Sequence, residues 1–274
     1  MAGQRRRRGG RKGAGGDEAG REGLVFGQHA AREAMSYDPA GVEAVWLERG
    51  RRDQRLERQL AKLEKGGVPI RRVLRSELDE LAEGGNHQGI VVRYTGTPAR
   101  GESELADLLD AQPEPLLLVL DQVQDPHNLG ACLRTAAAAG GHGVVAPRDR
   151  SAALTPAVHK TAAGGVQRIP FFQVTNLART LQQMAEAGVF IIGTAGDDQA
   201  QDLYALDLQG PLALVLGGEA EGMRRLTRER CDAVAAIPMP GRMESLNVSV
   251  AAGVVLFEAV RQRFPRGEGV GYNR

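Results

Sequence analysis

PLLLVLDQVQDPHNLGACLRTAAAAGG, residues 115–141, is the stretch on which the reading of the whole chain turns. It opens with an apolar run over 115–120 that has no polar alternation and is too short for an ordinary helix. A strand of that kind is covered on both faces, as in a parallel sheet between helices. The chain then turns at Asp125 and Pro126, and an alanine-rich helix is predicted over 128–139. Open parallel sheets bind ligands at such strand-to-helix turns. This turn carries Asn128 and Arg134 where a dinucleotide site carries G-x-G-x-x-G, and a P-loop is missing as well.

The same rhythm continues downstream. GVVAP (143–147), RIPFFQV (168–174), VFIIGTA (189–195), PLALVLGG (211–218) and AVAAIP (233–238) read as further buried strands. Helices are predicted over 156–164, 176–187 and 221–231, with a long last one over about 247–264. Strand–helix alternation implies an α/β domain with a parallel sheet. Upstream, VEAVWLE (42–48), VPIRRVL (68–74) and GIVVRY (89–94) read as strands. RDQRLERQLAKLEKGG (52–67) is an amphipathic helix stopped by glycines, and SELDELAEGG (76–85) is a helix with a Ser-x-x-Asp cap. The expected organisation is a disordered basic arm (1–23), a small α/β domain (24–96), a linker around a short helical piece (97–114) and the parallel-sheet domain (115–274).

Composition narrows the function classes. Of 274 residues, 42% are hydrophobic but only 4% aromatic, so the core is built from Ala, Val, Leu and Ile. Net charge is +1, yet residues 1–23 hold seven of the 35 basic side chains against three of the 34 acidic ones. Such an arm suits a solubilising tail or an electrostatic tether for phosphate backbones. Two cysteines, Cys132 and Cys231, with no CxxC, suggest neither a disulfide framework nor a zinc site. No run approaches 18 apolar residues, and the arm lacks the apolar core of a signal peptide. The expected location is cytoplasmic, with no membrane partner and no metal.

Polar residues gather at three predicted strand ends: Asn128 and Arg134 in DPHNLGACLRTA, Gly217, Gly218, Glu219 and Gly222 in LGGEAEGM, and Ser245 and Asn247 in IPMPGRMESLNVSVA. Taken singly, Asn128, Ser245 and Asn247 suit helix caps, and Glu219 suits the start of a helix near 221. His127 and His142 sit near turns without triad or ligand spacing.

Together the blocks Asn128-Leu129-Gly130…Arg134-Thr135, Leu216-Gly217-Gly218-Glu219-Ala220-Glu221-Gly222 and Ser245-Leu246-Asn247-Val248-Ser249-Val250-Ala251 resemble the three motifs of the SpoU (TrmH-like) branch of the SPOUT RNA methyltransferases. VFGQHAAREAM and GNHQGIVV extend the resemblance to the N-terminal domain of the subgroup that methylates guanosine in bacterial 23S rRNA. The resemblance implies a C-terminal trefoil knot, preceded by a small ribosomal-protein-L30e-like RNA-binding domain. It implies ribose 2′-O-methylation with S-adenosylmethionine, held by Thr194, Gly217, Ile237, Met239 and Leu246. It places Asn128, Arg134, Glu219, Ser245 and Asn247 in the catalytic machinery. It further implies a homodimer through the last helix, apolar over most of its circumference until Glu258. A sulfonium methyl donor needs no metal. The family's proposed role for Arg134 is proton acceptor. Because arginine stays protonated in proteins, a bidentate grip on the phosphate beside the target ribose is the easier role.

Large-subunit rRNA is the expected partner. Gly85-Asn86-His87-Gln88-Gly89 and Arg32, Arg71, Arg72 and Arg93 are candidate RNA contacts in the first domain. A tRNA 2′-O-methyltransferase of the same branch, or a non-catalytic RNA-binding ribosome-assembly factor, are the alternatives. The first is disfavoured by the N-terminal domain, the second by the intact motif residues.

Overall fold

The computed structural model describes residues 23–264, apart from Arg52, Thr97, Asp198, Glu219, Ala220 and Arg242. All of the expected basic arm except Gly23 therefore lies outside the described residues, and so does Glu219. The chain divides into two units, residues 1–32 with 42–95 and residues 33–41 with 96–274.

In the first unit, strands β1 (Leu24–Phe26), β2 (Val42–Glu48), β3 (Ile70–Val73) and β4 (Ile90–Tyr94) form a mixed sheet in the order β1-β4-β2-β3. Helix α1 (Gln28–Tyr37) crosses the division between the units. Helix α2 (Gln54–Lys65) forms because Leu56, Leu60 and Leu63 recur at helical spacing and bury one face. Its start is held by Asp53, whose carboxylate accepts the N–H of Arg55 and Leu56, each at 3.1 Å. Helix α3 (Arg75–Leu81) corrects the expected serine cap. Ser76 already lies inside the helix, and Glu77 reaches back to accept the Leu74 N–H at 3.0 Å. Trp46, Val73, Leu78 and Val91 pack together between the sheet and this helix.

In the second unit, seven parallel strands lie in the order β7-β6-β5-β10-β8-β11-β9. They are β5 (Leu116–Asp121), β6 (Gly143–Pro147), β7 (Phe171–Val174), β8 (Phe190–Thr194), β9 (Gln201–Asp202), β10 (Leu212–Gly217) and β11 (Ala233–Ala236). The helices are α4 (Glu102–Ala111), α5 (Pro126–Ala138), α6 (Pro156–Ala162), α7 (Leu177–Glu186), α8 (Arg225–Arg228) and α9 (Val248–Arg263). The unbroken apolar run of β5 has a simple cause. Leu116, Leu118 and Leu120 face a core shared with Leu129, Leu133, Val255 and Leu256. Leu117 and Val119 face a second core shared with Leu105, Leu181 and Met184. Burying each leucine contributes about 1.5–3 kcal/mol, so neither face of β5 has room for a polar residue.

Two expectations change. The 97–114 stretch is more than a linker around a helical piece, because α4 sends Leu105 into the second core. The helix expected over 221–231 shrinks to Arg225–Arg228. Gly222 stands at φ +67° and its N–H bonds to the Gly218 carbonyl at 2.9 Å, so this segment folds into a tight turn first.

The chain lays down β5, β6 and β7 outward to one edge, then crosses to β8 on the other side. β10 later inserts between β5 and β8. The carboxyl ends of β5, β10, β8 and β11 therefore meet where the strand order reverses, which is where open sheets form a crevice.

Candidate active site

A crevice of about 220 Å³ occupies that position. Thr194, Gly217, Ile237, Met239 and Leu246, the five residues expected to hold a cofactor, all line it, together with Ser245. Eight apolar residues, Ile237, Met239 and Leu246 among them, and four glycines make most of this wall, which Glu244 also lines. The Thr194 hydroxyl is committed to the Val215 carbonyl at 3.2 Å, which ties the ends of β8 and β10 together.

Gly217 is required by geometry. A Cβ there would lie 2.1 Å from the Gly222 carbonyl carbon and 2.2 Å from the Met223 nitrogen. Backbone cannot yield as a side chain tip can, so any larger residue would unfold the turn. In α5, Gly130 has a different duty. A Cβ would meet the Val158 carbonyl at 2.8 Å, so the glycine lets α6 close on α5.

The structure brings Asn128 and Asn247 together across 119 residues, with Asn247 Nδ2 donating to Asn128 Oδ1 at 3.0 Å. Asn128 is buried and does not cap α5; Asp125 does, accepting the His127 N–H at 2.9 Å. Asn247 caps α9, and its Oδ1 accepts from the Ser249 N–H at 2.9 Å and the Ser249 hydroxyl at 2.6 Å. Ser245 caps nothing among the described residues and is exposed in the crevice wall. Arg134 is exposed on α5 and has no hydrogen-bond or ion-pair partner among the described residues. Its guanidinium is therefore not spent on the fold. His127 meets the Thr161 hydroxyl at 3.3 Å, and His142 accepts the Leu116 N–H at 3.0 Å, both structural contacts. Burial, then the Arg263 charge, lowers the His142 pKa.

One residue escaped sequence reasoning. Asp121 ends β5, is fully buried, and holds Arg224 twice, accepting its backbone N–H at 2.8 Å and its Nε–H at 2.7 Å. This anchors the 217–224 turn to the next strand. The available signal was a carboxylate closing an otherwise apolar strand, which demands a cationic or hydrogen-bonding partner. Burial pushes the thiols of Cys132 and Cys231 up to about 12. Among the described residues no three His, Cys, Asp or Glu side chains gather to hold a metal ion, and no helix is long and apolar enough to cross a membrane.

In the first unit, two of the candidate arginines are neutralised: Arg32 pairs with Asp53, and Arg72 with Glu57 at 2.8 Å. Arg71 and Arg93 instead stack over the Trp46 ring, 5.8 and 5.5 Å from its centroid. In the 85–89 loop, His87 is buried against Asp79 at 2.9 Å, while Asn86 and Gln88 remain exposed.

Residues 115–257 match the SpoU rRNA Methylase family, and residues 24–97 match the domain described as RNA 2′-O ribose methyltransferase substrate binding. The chain belongs to the SpoU rRNA methylase family. This SpoU methylase is 49% identical over 240 residues to the 23S rRNA (guanosine-2′-O-)-methyltransferase RlmB of Pseudomonas putida, covering 87% of the chain and 96% of that relative. It is 50% identical to the protein of the same name from Vibrio cholerae, covering 88% and 97%. Among solved structures, the AdoMet-bound rRNA methyltransferase of Sinorhizobium meliloti matches with TM-score 0.61 at 25% identity, over 90% of each chain. The SpoU methyltransferase AviRb of Streptomyces viridochromogenes shares the fold, with TM-score 0.62 at 24% identity over 90% of the SpoU methylase chain and 91% of its own.

Proposed function

We propose that this SpoU methylase transfers a methyl group from S-adenosylmethionine to a ribose 2′-hydroxyl of RNA, in a guanosine of 23S rRNA. The observation that carries this is the meeting of Thr194, Gly217, Ile237, Met239, Leu246 and Ser245 in one crevice at the sheet's reversal point. The names of its relatives support the choice of base and RNA.

The residues present fit the cofactor. Apolar side chains beside exposed glycine backbone suit a ligand with a flat apolar body and polar edges. Glu244, also in the wall, puts an acidic residue beside a cationic ligand. Thr194, Gly217, Ile237, Met239 and Leu246 would hold S-adenosylmethionine, which when bound supplies an electrophilic methyl group on a sulfonium.

The chain's own part is to deliver the 2′-oxygen. Arg134 remains protonated and grips the phosphate beside the target ribose through two N–H donors. Fixing the oxygen in line with the methyl group removes much of the entropic barrier. The Asn128–Asn247 pair, with Ser245 and Glu219, orients the sugar and accepts its hydrogen bonds, and the 2′-hydroxyl proton, which Arg134 does not take up, leaves to solvent water. The C-terminal segment is threaded as a trefoil knot, in keeping with β10 inserted between β5 and β8. The chain acts in the cytoplasm, where rRNA is made.

A second copy of the chain covers α9. Within α9, Val250 and Phe257 are 52% and 48% exposed seven residues apart, which aligns them on one face. A stripe this apolar on a soluble helix marks an interface.

The test is methyl transfer from labelled S-adenosylmethionine to total RNA of a strain lacking the gene, followed by nucleoside analysis. Label in large-subunit rRNA as 2′-O-methylguanosine is the expected result. Label in tRNA overturns the substrate and keeps the chemistry. Failure to bind the cofactor or label any RNA overturns the enzyme reading in favour of an assembly factor.

A further inference from the structure

Next to the crevice lies a smaller cavity of about 170 Å³, sharing Gly218 and Val248 with it. Asn128 lines it, as do Gln122, Gln124 and Asp125 of the loop after β5. No residue of this loop takes part in the proposed methyl transfer.

Two residues of positive φ meet here, Gln122 in the cavity wall and Arg150 behind it. Gln122 stands at φ +65° and Arg150 at φ +55°, a region that side chains other than glycine's rarely adopt. They belong to loops after adjacent strands, β5 and β6, and Arg150 Nη1 donates to Gln122 Oε1 at 3.5 Å. Gln122 is buried, 9% exposed. The surrounding structure holds both in place. The Gln122 carbonyl packs so closely on Gly218 that a Cβ there would lie 2.5 Å away. The Ala152 N–H bonds to the Val123 carbonyl at 3.0 Å and joins the two loops. Strain maintained by its surroundings at two touching side chains, beside a ligand cavity, is a feature of functional sites.

We propose that this cavity seats the base of the target nucleotide, and that Gln122 in its wall, with Arg150 bonded to it, reads that base as guanine. The inference rests on the function proposed above and extends it to base choice. The cavity is below the usual range for a whole ligand, so it takes one base or sugar unit, as a nucleotide unstacked from single-stranded RNA would present. Guanine offers two acceptors, O6 and N7, to a guanidinium. Adenine places an amino donor at the first of these, facing Arg150 donor to donor. The Gln122 amide, held by Arg150, orients that guanidinium from the buried side and offers its own donor and acceptor to the base.

Glycine variants make the test clean. Gln122→Gly and Arg150→Gly remove the side chains while suiting the left-handed backbone, so neither adds backbone strain, and thermal melting checks that both fold. The full-length proteins are assayed for S-adenosylmethionine affinity, for kcat and KM on rRNA from a strain lacking the gene, and for the base composition of labelled nucleosides. The expected result is unchanged cofactor affinity, a fall of about 10- to 100-fold in kcat/KM for RNA, and label spreading from guanosine to other nucleosides. Glycine variants with parental rate and selectivity overturn the proposal, and so does a slower rate with guanosine selectivity intact. A parent protein that binds cofactor but labels no RNA overturns the underlying function instead.

Discussion

Asp121 has no solvent exposure, and its two carboxylate oxygens both face Arg224. Asp121→Asn keeps the shape and removes the charge. It is expected to cost about 1–3 kcal/mol and to weaken cofactor binding, read by thermal melting and by titration, because the 217–224 turn loses its anchor. Arg134 sits at the opposite extreme, exposed and uncommitted. Arg134→Lys keeps the charge but loses the planar fork. Methyl transfer should fall by about 10- to 100-fold at unchanged stability; activity near the parent level would rule out a geometric role for the guanidinium. Cys132 and Cys231, both raised to about 12, are held as thiols at neutral pH. Since the thiolate is the reactive form, iodoacetamide at about pH 8 should label neither until the protein unfolds; mass spectrometry checks this.

At the scale of elements, α9 does three jobs at once. Its first turn is capped by Asn247, its inner face buries Ala252, Val255, Leu256 and Ala259, and its outer face carries Val250 and Phe257. Phe257→Asp should convert a dimer into monomers with little change in melting temperature, read by light scattering. A protein already monomeric would remove the case for the stripe as an interface. The apolar strands are legible because most, β5, β6 and β10 above all, are buried along their length and local in sequence. The three polar blocks were legible because each is a short contiguous run. What was hidden lies between distant segments. Asp121 and Arg224 are 103 residues apart, and nothing local marks them as partners. Ser76 and Glu77 are adjacent, yet which one holds the helix start depends on a reach that only the folded backbone defines. The 221–231 helix was overestimated because a helical pattern says nothing of a turn that first spends Gly222 and Arg224 elsewhere.

At the scale of the whole molecule, chemistry and recognition are distributed. The first unit presents Arg71 and Arg93 on Trp46, pre-ordered guanidinium groups that suit phosphate or a stacked base. Replacing both with Ala should weaken RNA binding and reduce the slope of log affinity against log salt by about one to two. Cofactor affinity should be untouched, which filter binding and calorimetry separate. The pairing of Asn128 with Asn247 carries a consequence for how the protein is made. A polypeptide still emerging from the ribosome, or released early, has the first asparagine without the second, and lacks Leu246 and Ser245 from the crevice wall. Under the roles proposed for these residues, a chain that stops before Leu246 is expected to transfer no methyl group, so activity starts only once translation has passed Asn247.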